Sequence, residues 1–100
     1  MCKISPVDLE MVKKILKTHV PGCKVRAFGS RVNGGGARKY SDLDLVIIGK
    51  KKLSARSLAD LKDAFQESDL PFRVDVLDWH RISAGFKEII DAKHEVLLNP

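Results

Sequence analysis

Apolar residues recur along this chain with helical spacing in three segments. The first helix is predicted to begin at Ser5-Pro6, because serine caps helices and proline fits the first turn, and to end at Pro21-Gly22. A second is capped by Ser54 or Ser57, and a third covers residues 82–92. The positions expected to face the core are Leu9, Val12, Ile15 and Leu16, then Leu58, Leu61, Ala64 and Phe65, and finally Phe86, Ile89 and Ile90.

Short apolar runs between these helices predict strands over residues 25–28, 42–48 and 72–77, with residues 96–98 as a further short strand or a tail. A loop of about a dozen residues, containing a short helix at 30–33, joins the first two strands, which are expected to be antiparallel. A helix joins the second and third, which favours a parallel pair with a right-handed crossover. The predicted fold class is α/β (α+β), a small mixed β-sheet flanked by helices in a single domain, residues 1–100.

Composition is that of a soluble globular protein, with 44% hydrophobic and 31% charged residues. The net charge of +5 favours anionic ligands such as nucleotides, nucleic acid or an acidic protein, although it also serves solubility. Cys2 and Cys23 lack the spacing of a metal site or a disulfide framework, which favours free thiols. The sequence has no apolar N-terminal signal and no run long enough to span a membrane, so a cytoplasmic location is expected.

Candidate chemistry concentrates on two acidic residues at the start of the second predicted strand. Asp42 and Asp44 are spaced i, i+2, so on a strand their side chains lie on one face. Aspartate is depleted in strands. In a strand that becomes apolar on both faces, two carboxylates lower the stability of the fold unless a cation compensates their charge. Oxygen ligands on a rigid strand suit Mg²⁺, which shares its coordination shell with substrate phosphates. The alternative is the solvent face of an amphipathic strand.

A third carboxylate follows in the next strand. If that strand is parallel to the second, Asp75 can reach the site of Asp42 and Asp44. Three carboxylates around one or two metal ions support in-line attack on an α-phosphate, because the ions can activate the attacking oxygen and stabilise the leaving group. Asp78 is the competing candidate, but it faces the other side of the strand or lies in the turn before Trp79. We therefore favour Asp75.

A glycine-rich segment before these acids has the features of a phosphate-binding turn. Gly29 follows a strand, where its backbone can approach a ligand, and Ser30 and a following helix N-terminus offer donors to phosphate. Arg31 adds a positive charge, and Arg38 or Lys39, after the glycine run, could clamp a triphosphate. Taken alone, the Gly-Ser pair is equally compatible with a simple turn, and the loop with a hairpin connection.

Together these residues resemble a known family. The order Gly29-Ser30-Arg31, Ser41-Asp42-Leu43-Asp44 and Val74-Asp75-Val76 is similar to the pattern of the DNA polymerase beta-like nucleotidyltransferase superfamily, which has Gly-Ser, a loop, Asp-x-Asp and a third Asp one strand later. The short length and the Gly-Ser-Arg form look most like the minimal nucleotidyltransferases. One difference is Val32-Asn33, where the family often has Ala-Arg, in a loop that is longer by a glycine.

The resemblance implies a nucleotidyltransferase fold, ATP as substrate and one or two Mg²⁺ ions. By this resemblance Asp42 and Asp44 match the metal-binding pair, Asp75 matches the third catalytic carboxylate, and Gly29 and Ser30 match the phosphate-binding turn. Minimal members are commonly the antitoxin of a module whose toxin is a helical HEPN-domain protein. The implied reaction is the transfer of AMP from ATP to a hydroxyl of that toxin, expected to be a tyrosine.

Other functions stay open at this point. The domain could neutralise a helical partner by binding alone, or it could transfer a nucleotide to a small molecule such as an aminoglycoside, although no second domain is present to hold one. Direct nucleic-acid binding is disfavoured, because no basic stripe is interleaved with aromatic residues. Trp79 is singled out for a partner surface, with a position in the core or at its rim as the alternative.

Overall fold

The computed structural model of the chain describes residues 4–29 and 42–99. The predicted helix at 30–33 and the predicted site residues Ser30, Arg31 and Arg38 lie outside these ranges. In chain order the described elements are α1 (Pro6–His19), β1 (Lys24–Phe28), β2 (Leu43–Ile48), α2 (Ala55–Gln66), β3 (Val74–Asp78), a short 3₁₀ helix (Trp79–Arg81), α3 (Ala84–Ala92) and β4 (Glu95–Leu98).

One mixed sheet with the strand order β3-β2-β1-β4 forms the centre of the fold. β1 is antiparallel to both β2 and β4, whereas β2 is parallel to β3. The predicted antiparallel first pair and parallel second pair are therefore confirmed. Residues 95–98 form a strand and not a tail, and they pair with the outer side of β1.

Serine side chains set where the three helices begin. Ser5, Ser54 and Ser83 each accept, through Oγ, a hydrogen bond from the backbone N–H three residues later, at 3.0–3.2 Å. Ser54 is thus the cap of α2, which settles the choice between Ser54 and Ser57. α3 begins at Ala84, two residues later than predicted, because Ser83 holds the extended backbone of an N-cap.

The main hydrophobic core lies between α1, α2 and one face of the sheet. Leucines and valines of the helices pack against strand residues that alternate along β1 and β2. Its fully buried members are Val12, Leu16, Val25, Ala27, Leu43, Leu45, Ile47 and Leu61. Burial of a valine, leucine or isoleucine side chain stabilises the fold by about 1.5–3 kcal/mol, so this face holds β1 and β2 firmly in place.

The opposite face of the sheet is covered in part by α3. Phe28 of β1 meets Phe86 of α3 edge to face, with ring centroids 5.7 Å apart. Ile90 is fully buried, whereas Ile89 is 68% exposed, so the prediction that Ile89 faces inward is wrong. α3 packs against the sheet through the side that contains Phe86 and Ile90, which are four residues apart. Ile89 therefore faces solvent.

Trp79 lies at the rim of this second layer and is half-buried. The guanidinium of Arg26 and the ammonium of Lys87 lie 5.5 and 5.4 Å from its ring centroid, within the range of cation–π attraction. Arg26 also pairs with Asp91 of α3 at 2.7 Å. Trp79 therefore helps to join the sheet to α3. Within the described ranges, the helices are all too short or too polar to cross a membrane.

Candidate active site

Two carboxylates lie side by side on neighbouring strands at one end of the sheet. Asp44 of β2 and Asp75 of β3 are register partners in the parallel pair. Because Leu43 and Leu45 point into the main core, Asp44 and Asp75 share the opposite face. Asp42 is exposed and precedes β2 by one residue, on the side of the Asp44 carboxylate. The parallel crossover thus brings Asp44 and Asp75 together, as the sequence predicts.

The negative charges of this cluster act on one another. The pKa of Asp44 is raised above its usual value, first because burial penalises the charged form, and then because Asp75 and Asp42 add negative charge nearby. Arg73 Nε lies 3.7 Å from Asp75 Oδ1, and both side chains are exposed, so this ion pair compensates little of the repulsion. A bound cation would stabilise the ionised form of Asp44.

Magnesium fits this donor set. Hard carboxylate oxygens at a half-buried, mutually repelling pair are the ligands that Mg²⁺ prefers. Within residues 4–29 and 42–99, no three His, Cys, Asp or Glu side chains are grouped closely enough to hold a metal ion by themselves. Mg²⁺ is usually held by one or two carboxylates, with water and substrate phosphates in its remaining positions, so the pair Asp44 and Asp75 is sufficient on the protein side.

Gly29 closes the site at the end of β1. Its φ of +82° lies in the left-handed region, which glycine adopts without strain. Since Phe28 is opposite Asp44 in the β1–β2 register, Gly29 lies directly beside that carboxylate. A Cβ on Gly29 would overlap Asp44 Oδ2 and lie 3.2 Å from its Cγ. The absent side chain therefore leaves the space that the Asp44 carboxylate occupies.

A hollow of about 380 Å³ opens beside Gly29 and is lined by Phe28, Gly29, Ile89, Ile90 and Lys93. Lys93 brings a positive charge to the same end of the sheet as the glycine turn, which suits an anionic ligand. Lys93 could not be identified from the sequence, because its place depends on how α3 packs across β1. No local motif surrounds it that could have identified it.

Asp78 is separate from this site. It is only 2% exposed and accepts hydrogen bonds from the backbone N–H groups of Leu53 at 2.8 Å and His80 at 3.0 Å. Arg81 Nε lies 3.4 Å from its Oδ2. Asp78 lies on the core side of β3 together with Val76, three residues from Asp75 and on the opposite face. Its contacts tie β3 to the segment before α2.

Sequence comparisons lead to one family. The sequence model of the family described as "Nucleotidyltransferase domain" matches residues 9–98. The probable protein adenylyltransferase MntA of Haemophilus influenzae is 51% identical over 94 residues, which are 94% of this chain and 82% of that protein. Both matches extend over the candidate carboxylates and the glycine turn.

Solved structures share the fold. A chain of a toxin–antitoxin crystal structure with AMP-PNP matches with a TM-score of 0.75 at 22% identity, covering 92% of this chain and 73% of that one. A chain from the tri-AMPylated Shewanella oneidensis HEPN toxin in complex with MNT antitoxin matches with a TM-score of 0.71 at 19% identity, covering 94% and 71%. The predicted mixed-sheet nucleotidyltransferase fold is therefore confirmed.

Proposed function

The chain belongs to the nucleotidyltransferase domain family, and we propose that it is a Mg²⁺-dependent adenylyltransferase that moves AMP from ATP to a hydroxyl of a partner protein. The observation that carries this proposal is the register pairing of Asp44 with Asp75 beside the left-handed turn at Gly29. This arrangement combines cation ligands with a backbone that a phosphate can approach.

Each acidic residue has a proposed role. Asp42, Asp44 and Asp75 hold one or two Mg²⁺ ions, which when bound stabilise the negative charge of the triphosphate and of the leaving pyrophosphate. Asp75 also accepts the proton of the attacking hydroxyl group. At the same time the hydroxyl oxygen bonds to the α-phosphorus, and pyrophosphate departs. Asp75 suits this role because its carboxylate is 48% exposed on the open face, within reach of an incoming group.

The glycine turn is proposed to hold the nucleotide. Gly29 and Ser30 contact the triphosphate, as the family resemblance implies, and Arg31 and Arg38 contribute positive charge to its binding. Support for this placement comes from the hollow that Gly29 lines at the end of β1. Lys93 adds a further cation from α3 at the hollow that Gly29 lines.

The proposed partner is a helical HEPN-domain toxin, and this chain is its antitoxin, with a tyrosine as acceptor and the cytoplasm as location. Transfer of AMP to a protein is supported by the probable protein adenylyltransferase MntA, which is 51% identical. It is also supported by the tri-AMPylated HEPN toxin in one matching structure. Transfer of AMP to the toxin, and not complex formation alone, is the proposed basis of neutralisation.

Intact mass measurement tests this function. The purified chain is incubated with ATP, Mg²⁺ and its cognate HEPN-domain protein, and we expect the partner to gain the mass of one or more AMP groups. Asp44→Asn should lower the rate of transfer by about 10³-fold, because loss of a cation ligand removes several kcal/mol of transition-state stabilisation.

Asp60→Asn is the matched control, because Asp60 is an exposed aspartate of α2 that pairs with Arg56 at 3.7 Å, away from the site. It should transfer AMP at the wild-type rate. Tight binding of the partner by the wild-type chain with no gain of mass would show instead that the chain neutralises by covering its partner. Full transfer by Asp44→Asn would exclude the assigned site.

A further inference from the structure

A groove of about 730 Å³ runs between α2 and the outer side of β3. Its lining includes the apolar residues Phe65, Leu70 and Val74, and the exposed side chains of Lys62, Gln66 and Arg73. Phe65 is almost fully buried beneath it, so the groove has an apolar base and a rim with two positive charges. This groove is separate from the glycine turn and from the hollow at Lys93, because it lies on the other side of Asp75.

The groove follows the backbone edge of β3. Every residue from 72 to 77 lines it, although successive strand side chains point to opposite faces, so the space must lie along the edge of the strand. Arg73 O accepts a hydrogen bond from Leu43 N–H at 2.8 Å, on the β2 side. The N–H and C=O groups of Val74 and Val76 therefore point away from β2 and toward the groove.

An edge of this kind is a template for another strand. Among the described elements, β3 has a strand neighbour on its β2 side alone. Outward N–H and C=O groups at alternate residues match the hydrogen-bonding pattern of an extended peptide, and recognition by strand addition uses this pattern. The apolar base under Val74 would receive alternate side chains of such a peptide.

The same groove is continuous with the candidate active site. Asp75 lines the groove and is also the register partner of Asp44. In a strand added to β3, the residue opposite Asp75 would have its Cβ about 4.5–5.5 Å from that of Asp75, on the same face. Its two neighbours along the peptide would point to the other face, toward Phe65 and Leu70.

We propose that the acceptor segment of the partner protein binds as an additional strand on β3, with its accepting hydroxyl side chain opposite Asp75. The segment is extended, it has apolar residues on both sides of the hydroxyl residue, and an acidic residue close by pairs with Lys62 or Arg73. This inference rests on the proposed adenylyltransferase function and names how the acceptor is presented. Strand addition supplies the register, and the apolar neighbours supply the specificity.

Backbone amide exchange, followed by NMR, tests the contact directly. The chain is compared alone and in complex with its cognate HEPN-domain protein. We expect the amides of Val74 and Val76 to exchange at least about tenfold more slowly in the complex, because each gains a hydrogen bond. Exchange along β4, the other edge of the sheet, should not change. Unchanged exchange at Val74 and Val76 in a complex that transfers AMP would overturn the inference.

Two other outcomes would also overturn it. Protection of β3 in the chain alone, increasing with its concentration, would identify a second copy as the occupant. Absence of both a complex and AMP transfer with the wild-type chain would remove the proposed function, and the inference with it. AMP transfer without β3 protection removes the inference alone, so the two failures are distinguishable.

A matched pair of variants at the end of α2 tests the groove by kinetics. Gln66→Trp fills the groove from its rim and should lower kcat/KM for the partner by about tenfold or more, with the KM for ATP unchanged. Glu67→Trp places the same side chain on the next residue, which is exposed and does not line the groove, and should behave like wild type. Equal effects of the two variants, or none at Gln66, would overturn the proposal. Thermal melts establish that both fold.

Discussion

At the scale of single residues, Asp44 combines three unfavourable conditions: partial burial, the charge of Asp75 and the charge of Asp42. Among residues 4–29 and 42–99, no side-chain hydrogen bond of the kind that Asp78 receives is found at Asp44. An ionised acidic group in such a place lowers the stability of the fold, and perturbed groups of this kind are candidates for binding or catalysis. The proposed role of Asp44 would therefore come at a cost to folding stability.

Asp44→Asn should raise the Tm of the metal-free chain at pH 7. The pKa of Asp44 in the folded state is raised above the reference of 3.8, so the folded state binds this proton more tightly than the unfolded state does. Ionisation of Asp44 thus lowers the free energy of unfolding as pH rises through the folded-state pKa. Solvent screening limits the effect to less than about 1 kcal/mol, or a few degrees in Tm.

The pH dependence provides the check. Melting curves in EDTA should show the advantage of Asp44→Asn at pH 7 and its loss as the pH falls below 3.8, where the wild-type carboxyl becomes protonated in both the folded and the unfolded state. Asp60→Asn should show no comparable gain at pH 7. A Tm difference that is the same at both ends of the pH range would contradict the assigned cause.

Gly29→Ala should abolish most of the activity. Alanine at φ +82° costs about 1–2 kcal/mol, and its Cβ would displace the Asp44 carboxylate. We expect transfer to fall by about 10²-fold or more, since displacements near 1 Å have effects of this size. Gly22→Ala is the matched control: φ is +80°, but no atom lies within 4 Å of its Cβ. Both variants should lose similar stability, and only Gly29→Ala should lose activity in an intact-mass assay.

At the scale of elements, the two aspartates of β3 differ in surroundings and in the effect we expect each to have. Asp75 lies on the open face beside Asp44, whereas Asp78 is buried and holds the segment before α2 through Leu53 N–H. The odd spacing between them, which decided the choice from sequence, separates them onto the two faces of one strand.

We therefore expect replacement by alanine to lower stability at Asp78 and activity at Asp75. Asp78→Ala should lower the free energy of unfolding by about 2–3 kcal/mol, because it leaves the N–H of Leu53 without a partner and removes the ion pair with Arg81. Asp75→Ala should leave stability nearly unchanged and remove AMP transfer. Urea denaturation and the intact-mass assay measure the two effects. A larger loss of stability at Asp75 than at Asp78 would reverse the assignment.

The features of these elements that depend on residues close together in the sequence could be predicted. The cap at Ser5-Pro6, the apolar run of β2 and the crossover between β2 and β3 each follow from neighbouring residues. The sequence predicts the third strand at 72–77, and the strand lies at Val74–Asp78. It ends at Asp78 because the side chain of this residue caps the 3₁₀ helix that follows.

Features that depend on packing were not predictable. The outward side of Ile89 and the place of Lys93 are set by how α3 crosses the sheet, which no periodicity specifies. The pairing of β4 with β1 joins residues that are distant in sequence. The parts of the candidate site that follow from strand spacing or a short motif could thus be predicted from the sequence. The position of Lys93 could not, because it depends on the packing of α3.

At the scale of the whole molecule, the carboxylates, the glycine turn and Lys93 lie at one end of the sheet, so ligand binding should stabilise the fold as a unit. We expect ATP with Mg²⁺ to raise the Tm, because a ligand at 100 times its Kd adds about 2.7 kcal/mol to the free energy of unfolding. ATP with EDTA should have much less effect, and Asp44→Asn should abolish the difference. An equal rise with and without Mg²⁺, measured by calorimetry, would exclude a metal-linked site.

β1 lies between β2 and β4, which are at very different distances from it along the chain. β2 is the next strand along the chain, whereas β4 is the last of the described strands. Contacts between distant residues form slowly, because a long loop must close before they contribute. Until residues 95–98 arrive, a newly made chain exposes the edge of its central strand, where other chains can pair with it and aggregate. We therefore expect the pairing of β4 with β1 to determine how long this edge stays exposed during folding.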